Sequence, residues 1–356
     1  MEAQNWKRLN TDPAFRARME TRSRVISAVR AFFVREGFLE VETPFVVPVP
    51  GMEPHLDPFA TEVRRHDGAR FAAHLITSPE YSMKKLLAGG LPRIFELARA
   101  YRNSEPWDGT HNAEFTMLEW YRANTDYAAM MQDTERMVAN VAREVCGSEV
   151  IEWQGKTIDL SAPWPRLSVA EAFRKFADID LGAGIDDPAR FRADVESKGV
   201  VLTSHDTWDD AFFKLFLRDI EPRLGLPDGA PSEPVRPVIL YDYPKSMAAL
   251  ARIKESDPRY AERFEAYVSG IELANAFSEL NDAAEQRARL EAEREERRKL
   301  GASDYGLDEQ FLEAVGMMPP SAGIAFGVDR LVLLLADAAT LRDVLYFPSS
   351  DLFSNG

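Results

Sequence analysis

The sequence predicts an α+β fold in which a mostly antiparallel sheet is flanked by helices and interrupted by a helical insertion. Three observations predict it. Helical and strand-like segments do not alternate as in βαβ units. Two neighbouring segments with strand character are joined by a polar segment typical of a hairpin. The pattern of residues 168–230 predicts only helices and short loops. The 356 residues, 45% of them hydrophobic, can form a full core in one or two domains.

The first elements are a helix and a strand. We expect residues 1–12 to be a loose terminus. Asp12 and Pro13 are the residue types of a helix N-cap and first helical position, and apolar residues then recur at helical spacing until Gly37. Residues 38–44 alternate like a strand that stops at a proline.

A hairpin and a second helix follow. Residues 94–102 and 115–122 are apolar and aromatic enough for two strands, and the turn-rich residues 103–113 predict a long loop between them. Long loops in compact domains usually serve function. Residues 127–144 predict a helix, and residues 148–166, which hold a glycine and two prolines, predict a crossing segment.

The second half of the chain contains the insertion, further strands and a charged helix. The spacing Ser168-x-x-Glu171 is that of a capping box, which begins the helices of the insertion. Strand character returns at residues 238–241, and residues 267–280 predict a strand pair. Residues 283–300 are almost all Ala, Glu, Arg and Leu, so we predict a helix with an exposed charged face.

Composition excludes several classes of protein. With 43 Lys and Arg against 58 Asp and Glu, the formal charge is −15, which argues against a protein that coats nucleic acid. The single cysteine, Cys146, cannot form an internal disulfide and is expected to be a small buried side chain. No signal peptide or membrane-spanning run is visible, so we expect a cytoplasmic protein with no membrane contact.

Common catalytic signatures are absent from the sequence. There is no Walker A sequence and no Gly-x-Ser-x-Gly elbow. The five histidines have no zinc-binding spacing.

Three segments, in order along the chain, carry a stronger signal. They are the helix and strand that end at Pro44, the hairpin segments Arg99–Glu105 and His111–Tyr121, and Gly323–Leu331, a strand followed by a helix. Together they resemble motifs 1, 2 and 3 of the class II aminoacyl-tRNA synthetases.

Further segments resemble the lysyl-tRNA synthetase branch of that class, namely Thr77–Tyr81, Phe115–Tyr121 and Gly270–Asp282. The resemblance is greatest to a stand-alone paralogue of this branch, the elongation factor P β-lysine ligases, and it covers roughly residues 20–348. The division that it implies is an N-terminal extension over 1–21, a catalytic domain over 22–348 with the insertion at about 168–230, and a tail over 349–356.

The resemblance implies that ATP activates lysine, most often (R)-β-lysine, as the aminoacyl-adenylate. The acyl group then passes to a lysine ε-amine of elongation factor P. ATP and Mg²⁺ are the implied cofactors. No protein nucleophile is visible, so the uncharged acceptor amine must attack the adenylate directly. Because motif 1 forms the dimer interface of class II enzymes, we also expect a homodimer.

The resemblance assigns two catalytic arginines to ATP. Arg102 matches the motif 2 arginine that holds the α-phosphate and the substrate carboxylate, and Arg330 matches the motif 3 arginine that holds the γ-phosphate. A guanidinium keeps its charge and offers two parallel donors, which suits both tasks. Phe115 matches the residue that stacks on adenine. The other implied ATP-binding residues are Asn103, Glu105, His111, Asn112, Glu272 and Gly327, and the implied Mg²⁺ ligands are Glu265 and Glu272.

The amino-acid pocket should be acidic because lysine carries two ammonium groups. Buried like charges are costly without a cation, so Glu80, Glu119 and Glu279, on strands that otherwise look apolar, are best explained by a dicationic substrate. The full set of residues that match the family's pocket is Ser78, Glu80, Glu119, Tyr121, Asn275, Phe277, Glu279 and Ala325.

Two positions distinguish this sequence within the family. Lysyl-tRNA synthetases usually have glycine where this chain has Ala325, and the elongation factor P ligases usually have alanine. An added methyl group here could favour a β-amino acid by moving the amino group, and because it changes discrimination by only about 1–3 kcal/mol, the preference need not be absolute. Many relatives also have Arg-Asn-Glu in motif 2, whereas Arg102 and Asn103 are followed here by Ser104, so the role of that glutamate is assigned to Glu105.

Two alternative functions remain open. We expect no anticodon-binding domain, because motif 1 begins too early for an N-terminal OB-fold and little chain follows motif 3. A truncated synthetase could still charge tRNA or another amine acceptor. A catalytically inactive regulatory module is the other alternative. Such modules typically lose the two phosphate-binding arginines, and this sequence has both, Arg102 and Arg330.

Overall fold

The structure, a computed structural model, describes residues 4–107, 109–227, 233–248 and 250–353. It has the predicted fold, a large mostly antiparallel sheet flanked by helices. The strands are β1 Leu39–Glu40, β2 Val46–Val47, β3 Ala60–Arg64, β4 Arg70–Leu75, β5 Arg93–Tyr101, β6 Glu114–Ala123, β7 Val150–Trp153, β8 Lys156–Asp159, β9 Arg166–Ser168, β10 Val238–Pro244, β11 Tyr260–Val268, β12 Ile271–Ser278 and β13 Ser321–Gly327. The helices are α1 Asn5–Thr11, α2 Pro13–Arg35, α3 Glu80–Ala88, α4 Tyr127–Cys146, α5 Val169–Ala177, α6 Leu181–Asp186, α7 Pro188–Ser197, α8 Trp208–Leu215, α9 Ala283–Lys299, α10 Glu309–Met317, α11 Val328–Leu335 and α12 Ser349–Leu352.

The central sheet has eight strands in the order β1-β5-β6-β13-β12-β11-β10-β9. All neighbours from β5 to β10 pair antiparallel, and the outer pairs β1–β5 and β10–β9 are parallel. β13 lies between β6 and β12, so the third motif is brought beside the second. A smaller sheet, β2-β4-β3, and a hairpin, β7-β8, lie outside the central sheet.

Helices α2 and α4 pack together beside the main hydrophobic core. The side chain of Asp12 accepts a hydrogen bond from the backbone of Phe15, and α2 stops before Gly37, whose φ is +76°, as the capping signals predict. Phe33 is fully buried, and its ring centroid lies 4.9 Å from that of Phe95 and 5.0 Å from that of Trp120. These aromatic contacts fix the motif 1 helix against the hairpin strands β5 and β6.

The insertion has a hydrophobic cluster of its own, built on α5 to α8 and β10. Its first helix begins with the predicted capping box of Ser168 and Glu171. Residues 228–230 of the predicted insertion, 1–3 of the N-terminal extension and 354–356 of the tail lie outside the described residues. None of the described helices is long and apolar enough to cross a membrane.

The prediction of a loose N-terminus was wrong, because α1 is a helix. Asn5 is buried, its backbone N–H donates to Asp351 Oδ2 at 2.8 Å, and its side-chain amide donates to the carbonyl of Leu345 at 2.8 Å. These partners lie about 340 residues away in sequence, so no local pattern could indicate them.

Other elements differ from their predictions in extent. The strand predicted over 38–44 is confined to β1, the predicted crossing segment contains the hairpin β7-β8, and the predicted strand pair begins at Tyr260. β2, β3, β4, α3 and α10 were not predicted. Cys146 is exposed rather than buried. The charged helix α9 is not only a surface helix, because Gln286, Leu290 and Arg297 are buried.

Candidate active site

A cavity of about 460 Å³ lies on the central sheet, between the hairpin loop, α3, α9 and strands β11 to β13. The sequence segments that resemble motifs 2 and 3 meet in it because β13 pairs with β6. The predicted site residues that line it are Ser78, Glu80, Arg102, Glu105, His111, Asn112, Phe115, Glu265, Glu272, Asn275, Phe277, Ala325, Gly327 and Arg330.

The two predicted catalytic arginines both line this cavity. Arg330 lies in the first turn of α11, donates from Nη1 to the carbonyl of Glu272 at 2.7 Å, and has Nη2 3.4 Å from His111 Nε2. The guanidinium of Arg102 lies 5.1 Å from the centroid of the Phe115 ring, and its buried Nε has no hydrogen-bond partner among the described residues. A buried cationic donor without an acceptor is suited to an anionic ligand.

A buried ion pair connects the three motifs behind the arginines. Arg22 of α2 and Asp329 of α11 are both almost fully buried, with Nη1 and Oδ1 2.6 Å apart. Thr116 of β6 donates its backbone N–H to Asp329 Oδ2 at 2.8 Å and accepts from Arg22 Nη2 at 2.9 Å. This network fixes the residues beside Phe115 and Arg330, and sequence reasoning missed it because a helix arginine usually lies on the surface.

Two predicted Mg²⁺ ligands lie on adjacent strands. Glu265 accepts hydrogen bonds from the hydroxyls of Tyr243 and Tyr267, each at 2.5 Å, and from Arg263 Nη2 at 2.7 Å. Burial raises the pKa of Glu272, and the charge of Glu265 raises it further. A divalent cation would relieve this repulsion.

The described residues contain no group of three or more His, Cys, Asp or Glu side chains placed to hold a metal. Glu265 and Glu272 therefore fit Mg²⁺ only as partial ligands. Mg²⁺ usually binds one or two carboxylates together with substrate phosphates, so such a pair suits it.

A buried carboxylate lies behind Ser78. Glu119 is 1% exposed; Ser78 Oγ donates to its Oε1 at 2.5 Å, and the hydroxyl of Tyr121 donates to its Oε2 at 2.8 Å. Burial raises the pKa of Glu119 to about 8, with a further contribution from the charge of Glu80, although both hydrogen bonds oppose the shift. The Glu119 carboxyl group is therefore a titratable group directly behind Ser78 of the cavity wall.

The chain itself supplies a cation to the acidic pocket, which the argument from three carboxylates did not foresee. Lys84 of α3 is fully buried, and its Nζ lies 2.6 Å from Glu80 Oε1 and 2.5 Å from Glu279 Oε2. Glu80 begins a helix rather than lying on a strand. Burial raises the pKa of Glu279 to about 7, and the charge of Lys84 opposes that shift. The available sequence signal was the i,i+4 spacing of Glu80 and Lys84.

The comparisons with known proteins give the family. Residues 3–351 match the family of class II tRNA synthetases (D, K and N). The chain belongs to this synthetase family. It is similar to proteins named lysine–tRNA ligase, with 38% identity over 348 residues to that of Pelotomaculum thermopropionicum, 39% over 347 to that of Moorella thermoacetica and 39% over 331 to that of Magnetococcus marinus. These matches cover 97%, 97% and 92% of this chain but only 66%, 68% and 63% of the respective relatives.

Not every residue predicted from the synthetase motifs faces the cavity. Glu119, Tyr121 and Glu279 are buried and are not part of its lining. Asn103 is exposed, and its side-chain amide donates to Asp57 Oδ2 at 3.0 Å. Asn112 lines the cavity, but its side chain donates to the carbonyl of Glu114 and accepts from the backbone of Ser349.

The altered motif 2 sequence has a structural counterpart in this protein. Ser104 has a positive φ of +58° and donates to Asp57 Oδ2 at 3.0 Å, whereas Glu105 lines the cavity. Sequence reasoning missed other charged or aromatic lining residues, among them Glu53, Tyr81, Arg263 and Glu293. Glu53, Arg263 and Glu293 lie outside the segments that carry the family resemblance, whereas Tyr81 ends the segment Thr77–Tyr81.

Proposed function

We propose that this synthetase-family protein uses ATP to activate lysine, preferentially (R)-β-lysine, as the adenylate and transfers the acyl group to a lysine ε-amine of elongation factor P. The observation that carries the proposal is the division of one cavity between cationic and acidic residues. Arg102 and Arg330 lie on its wall and suit phosphate groups. Glu80, one oxygen of which pairs with Lys84, also lies on the wall and, with Glu119 behind Ser78, suits ammonium groups.

In the activation step a carboxylate oxygen of lysine attacks the α-phosphorus of ATP, a new O–P bond forms, and pyrophosphate leaves with the electron pair of the broken bond. Arg102 holds the α-phosphate and the attacking carboxylate close together and in line. Arg330 stabilises the charge on the departing phosphates. Mg²⁺, held by Glu265 and Glu272 with the phosphates, would neutralise further phosphate charge.

The preference for a β-amino acid rests on Ala325. In the sheet it lies between Asn275 of β12 and Glu119 of β6, and its side chain lines the cavity. A methyl group at this position reduces the room beside the pocket carboxylates. Moving the substrate amino group from the α- to the β-carbon accommodates it.

A second candidate is the charging of tRNA. It is favoured by the names of the relatives, which are lysine–tRNA ligases. Both candidates share the activation step and differ in the acceptor. An inactive module is disfavoured because Arg102 and Arg330 are both present and line the cavity.

We also propose that the protein forms a homodimer through motif 1. Exposed apolar side chains on and near β1 to β4 support this, because a partner subunit would remove them from water. They are Leu39, Phe45, Val46, Val63 and Phe71. Sedimentation of the wild-type protein should give a dimer, and Val46→Asp should shift it to a monomer. A wild-type monomer at micromolar concentration would contradict the proposal.

The decisive experiment supplies Mg-ATP, labelled lysine or (R)-β-lysine, bulk tRNA and elongation factor P from the same source. Label on the protein factor supports the proposal, and label on tRNA supports the second candidate. Lysine-dependent ATP–pyrophosphate exchange measures activation separately. Arg102→Ala should abolish exchange while the circular dichroism spectrum stays that of the wild type, and near-normal exchange would refute the site assignment.

A further inference from the structure

Two carboxylates of the cavity have no task in the activation step. Glu53 and Glu293 both line the cavity but lie outside the motif segments. Within the described residues, neither side chain forms a hydrogen bond or a salt bridge. Unpaired acids facing a ligand cavity are candidates for proton transfer or cation binding.

Buried Arg297 links the two elements that carry these acids. It is 1% exposed and donates from Nη1 to the backbone carbonyl of Glu53 at 2.6 Å. Glu293 precedes Arg297 by one turn of α9, and residues at i and i+4 share a helix face. The helix that holds the backbone of Glu53 therefore also places Glu293 on the cavity wall.

The segment that carries Glu53 is held on its other sides as well. The backbone N–H of Met52 donates to the hydroxyl of Tyr81 at 3.1 Å, and the hydroxyl of Tyr305 donates to the carbonyl of Gly51 at 2.7 Å. The Tyr81 ring stacks on Phe311 with centroids 3.8 Å apart. Glu53 is thus presented to the cavity by a fixed backbone, as a group that acts on a reacting amine must be.

We propose that Glu293 is the general base of the transfer step and that Glu53 binds the acceptor ammonium beside it. This inference rests on the proposed function, because a protonated amine acceptor must lose a proton before it can attack. An alkylammonium group has a pKa of about 10.4 and cannot attack a carbonyl while it is charged. The two carboxylates would attract the ammonium group into the cavity, and Glu293 would then take its proton.

The chemistry of the step is balanced. Glu293 takes one proton from the acceptor ammonium, and the freed amine attacks the carbonyl carbon of the adenylate. A C–N bond forms while the C–O bond to AMP breaks, and the electron pair leaves on the phosphate oxygen of AMP. The second amine proton departs with that phosphate. No oxidant, reductant or further reactant is required.

The electrostatic surroundings of the two acids agree with this role. Burial raises the pKa of Glu293 to about 8; the charges of Glu53, Glu296 and Glu80 raise it further, and Arg289 opposes them. Desolvation raises the pKa of Glu53 as well, and the charge of Glu80 raises it further. The positive charges of Arg102, Arg263 and Arg297 oppose this shift. A base with a pKa near the working pH is the efficient kind.

The test compares the two half-reactions in the full-length protein. The variants are Glu293→Gln and Glu53→Gln, with Glu291→Gln as the matched control on the exposed side of α9, where Glu291 is 59% exposed. Activation is followed by lysine-dependent ATP–pyrophosphate exchange. Transfer is followed in single turnovers from preformed adenylate to elongation factor P, and to hydroxylamine, which is largely uncharged at neutral pH.

For Glu293→Gln, transfer to elongation factor P should fall about 100-fold or more relative to exchange. The loss should diminish as pH rises towards the pKa of the amine, and it should be small with hydroxylamine. Glu53→Gln should raise the KM for elongation factor P, and Glu291→Gln should resemble the wild type. Equal losses in exchange and transfer, or equal losses with both acceptors, would overturn the inference. A wild-type protein without exchange would instead refute the proposed function.

Discussion

Replacing Lys84 with methionine tests the internal cation of the acidic pocket. Lys84 is 0% exposed and bridges Glu80 and Glu279 at 2.6 and 2.5 Å, so the change leaves two carboxylates without their partner. Removing one partner from a buried ion pair costs about 3–5 kcal/mol. With an unfolding entropy of about 2.1 cal/mol/K per residue, and thus about 0.75 kcal/mol/K for this chain, Tm should fall by about 4–7 °C.

The loss caused by Lys84→Met should depend on pH in a defined direction. The pKa of Glu279 is already raised to about 7 in the presence of Lys84. A carboxyl whose folded-state pKa is raised binds more protons in the folded than in the unfolded state, so stability falls as pH rises through that range. Removing Lys84 raises this pKa further, so the stability difference between the variant and the wild type should be smallest near pH 5 and should grow as pH rises above 7.

Thermal unfolding followed by circular dichroism at pH 5, 7 and 8.5 measures both effects. Lys85→Met is the matched control, because Lys85 is 31% exposed and pairs with Asp308 at 2.6 Å. A partly exposed pair of this kind contributes about 0–1 kcal/mol. If the two variants lose the same stability, or if the loss from Lys84→Met is the same at every pH, the assigned role of Lys84 is wrong.

Three further predictions concern the pocket and its support. The pKa of Glu119 is raised to about 8, so the KM for lysine in ATP–pyrophosphate exchange should fall by up to about tenfold per pH unit as pH rises from 6 to 8. Glu119→Gln should lose this pH dependence and should bind lysine more weakly. Ala325→Gly should raise the ratio of kcat/KM for lysine to that for (R)-β-lysine, by an amount that corresponds to about 1–3 kcal/mol in activation free energy. An unchanged ratio would reject the steric argument. A double-mutant cycle measured by urea unfolding tests the buried pair Arg22–Asp329. Arg22→Met should lower the free energy of unfolding by about 3–5 kcal/mol, and the double variant with Asp329→Leu should lose less than the sum of the two single variants. Additive losses would show that the two side chains are not coupled.

Features with local signals could be predicted from the sequence. The N-cap at Asp12, the capping box at Ser168 and the hairpin strands are specified within a few residues, and the structure has them where predicted. The motif arginines could be placed in one cavity because each lies in a contiguous segment typical of its family. What these features share is that the information lies within about one turn or one strand of the residue concerned.

Features that depend on distant partners could not be predicted. Arg22, Lys84 and Arg297 are charged residues that sequence rules place on the surface. Each is buried because an acceptor comes from another part of the chain, and for Arg297 that acceptor is the carbonyl of Glu53, 244 residues away. The same distance explains why Glu53 and Glu293 gave no signal, since Glu293 is one of many charged residues on α9 and only the fold brings it to the same cavity as Glu53.

The strand order has a consequence for how the protein folds during synthesis. β13, the last strand of the central sheet in chain order, lies between β6 and β12. Until β13 leaves the ribosome, β6 and β12 each present an unpaired edge, and such edges can join to other chains. The nascent chain therefore passes through an aggregation-prone interval that ends only when this inner strand is inserted. Slowing translation before residue 321 should prolong its need for chaperones, whereas slowing translation after the strand has emerged should not.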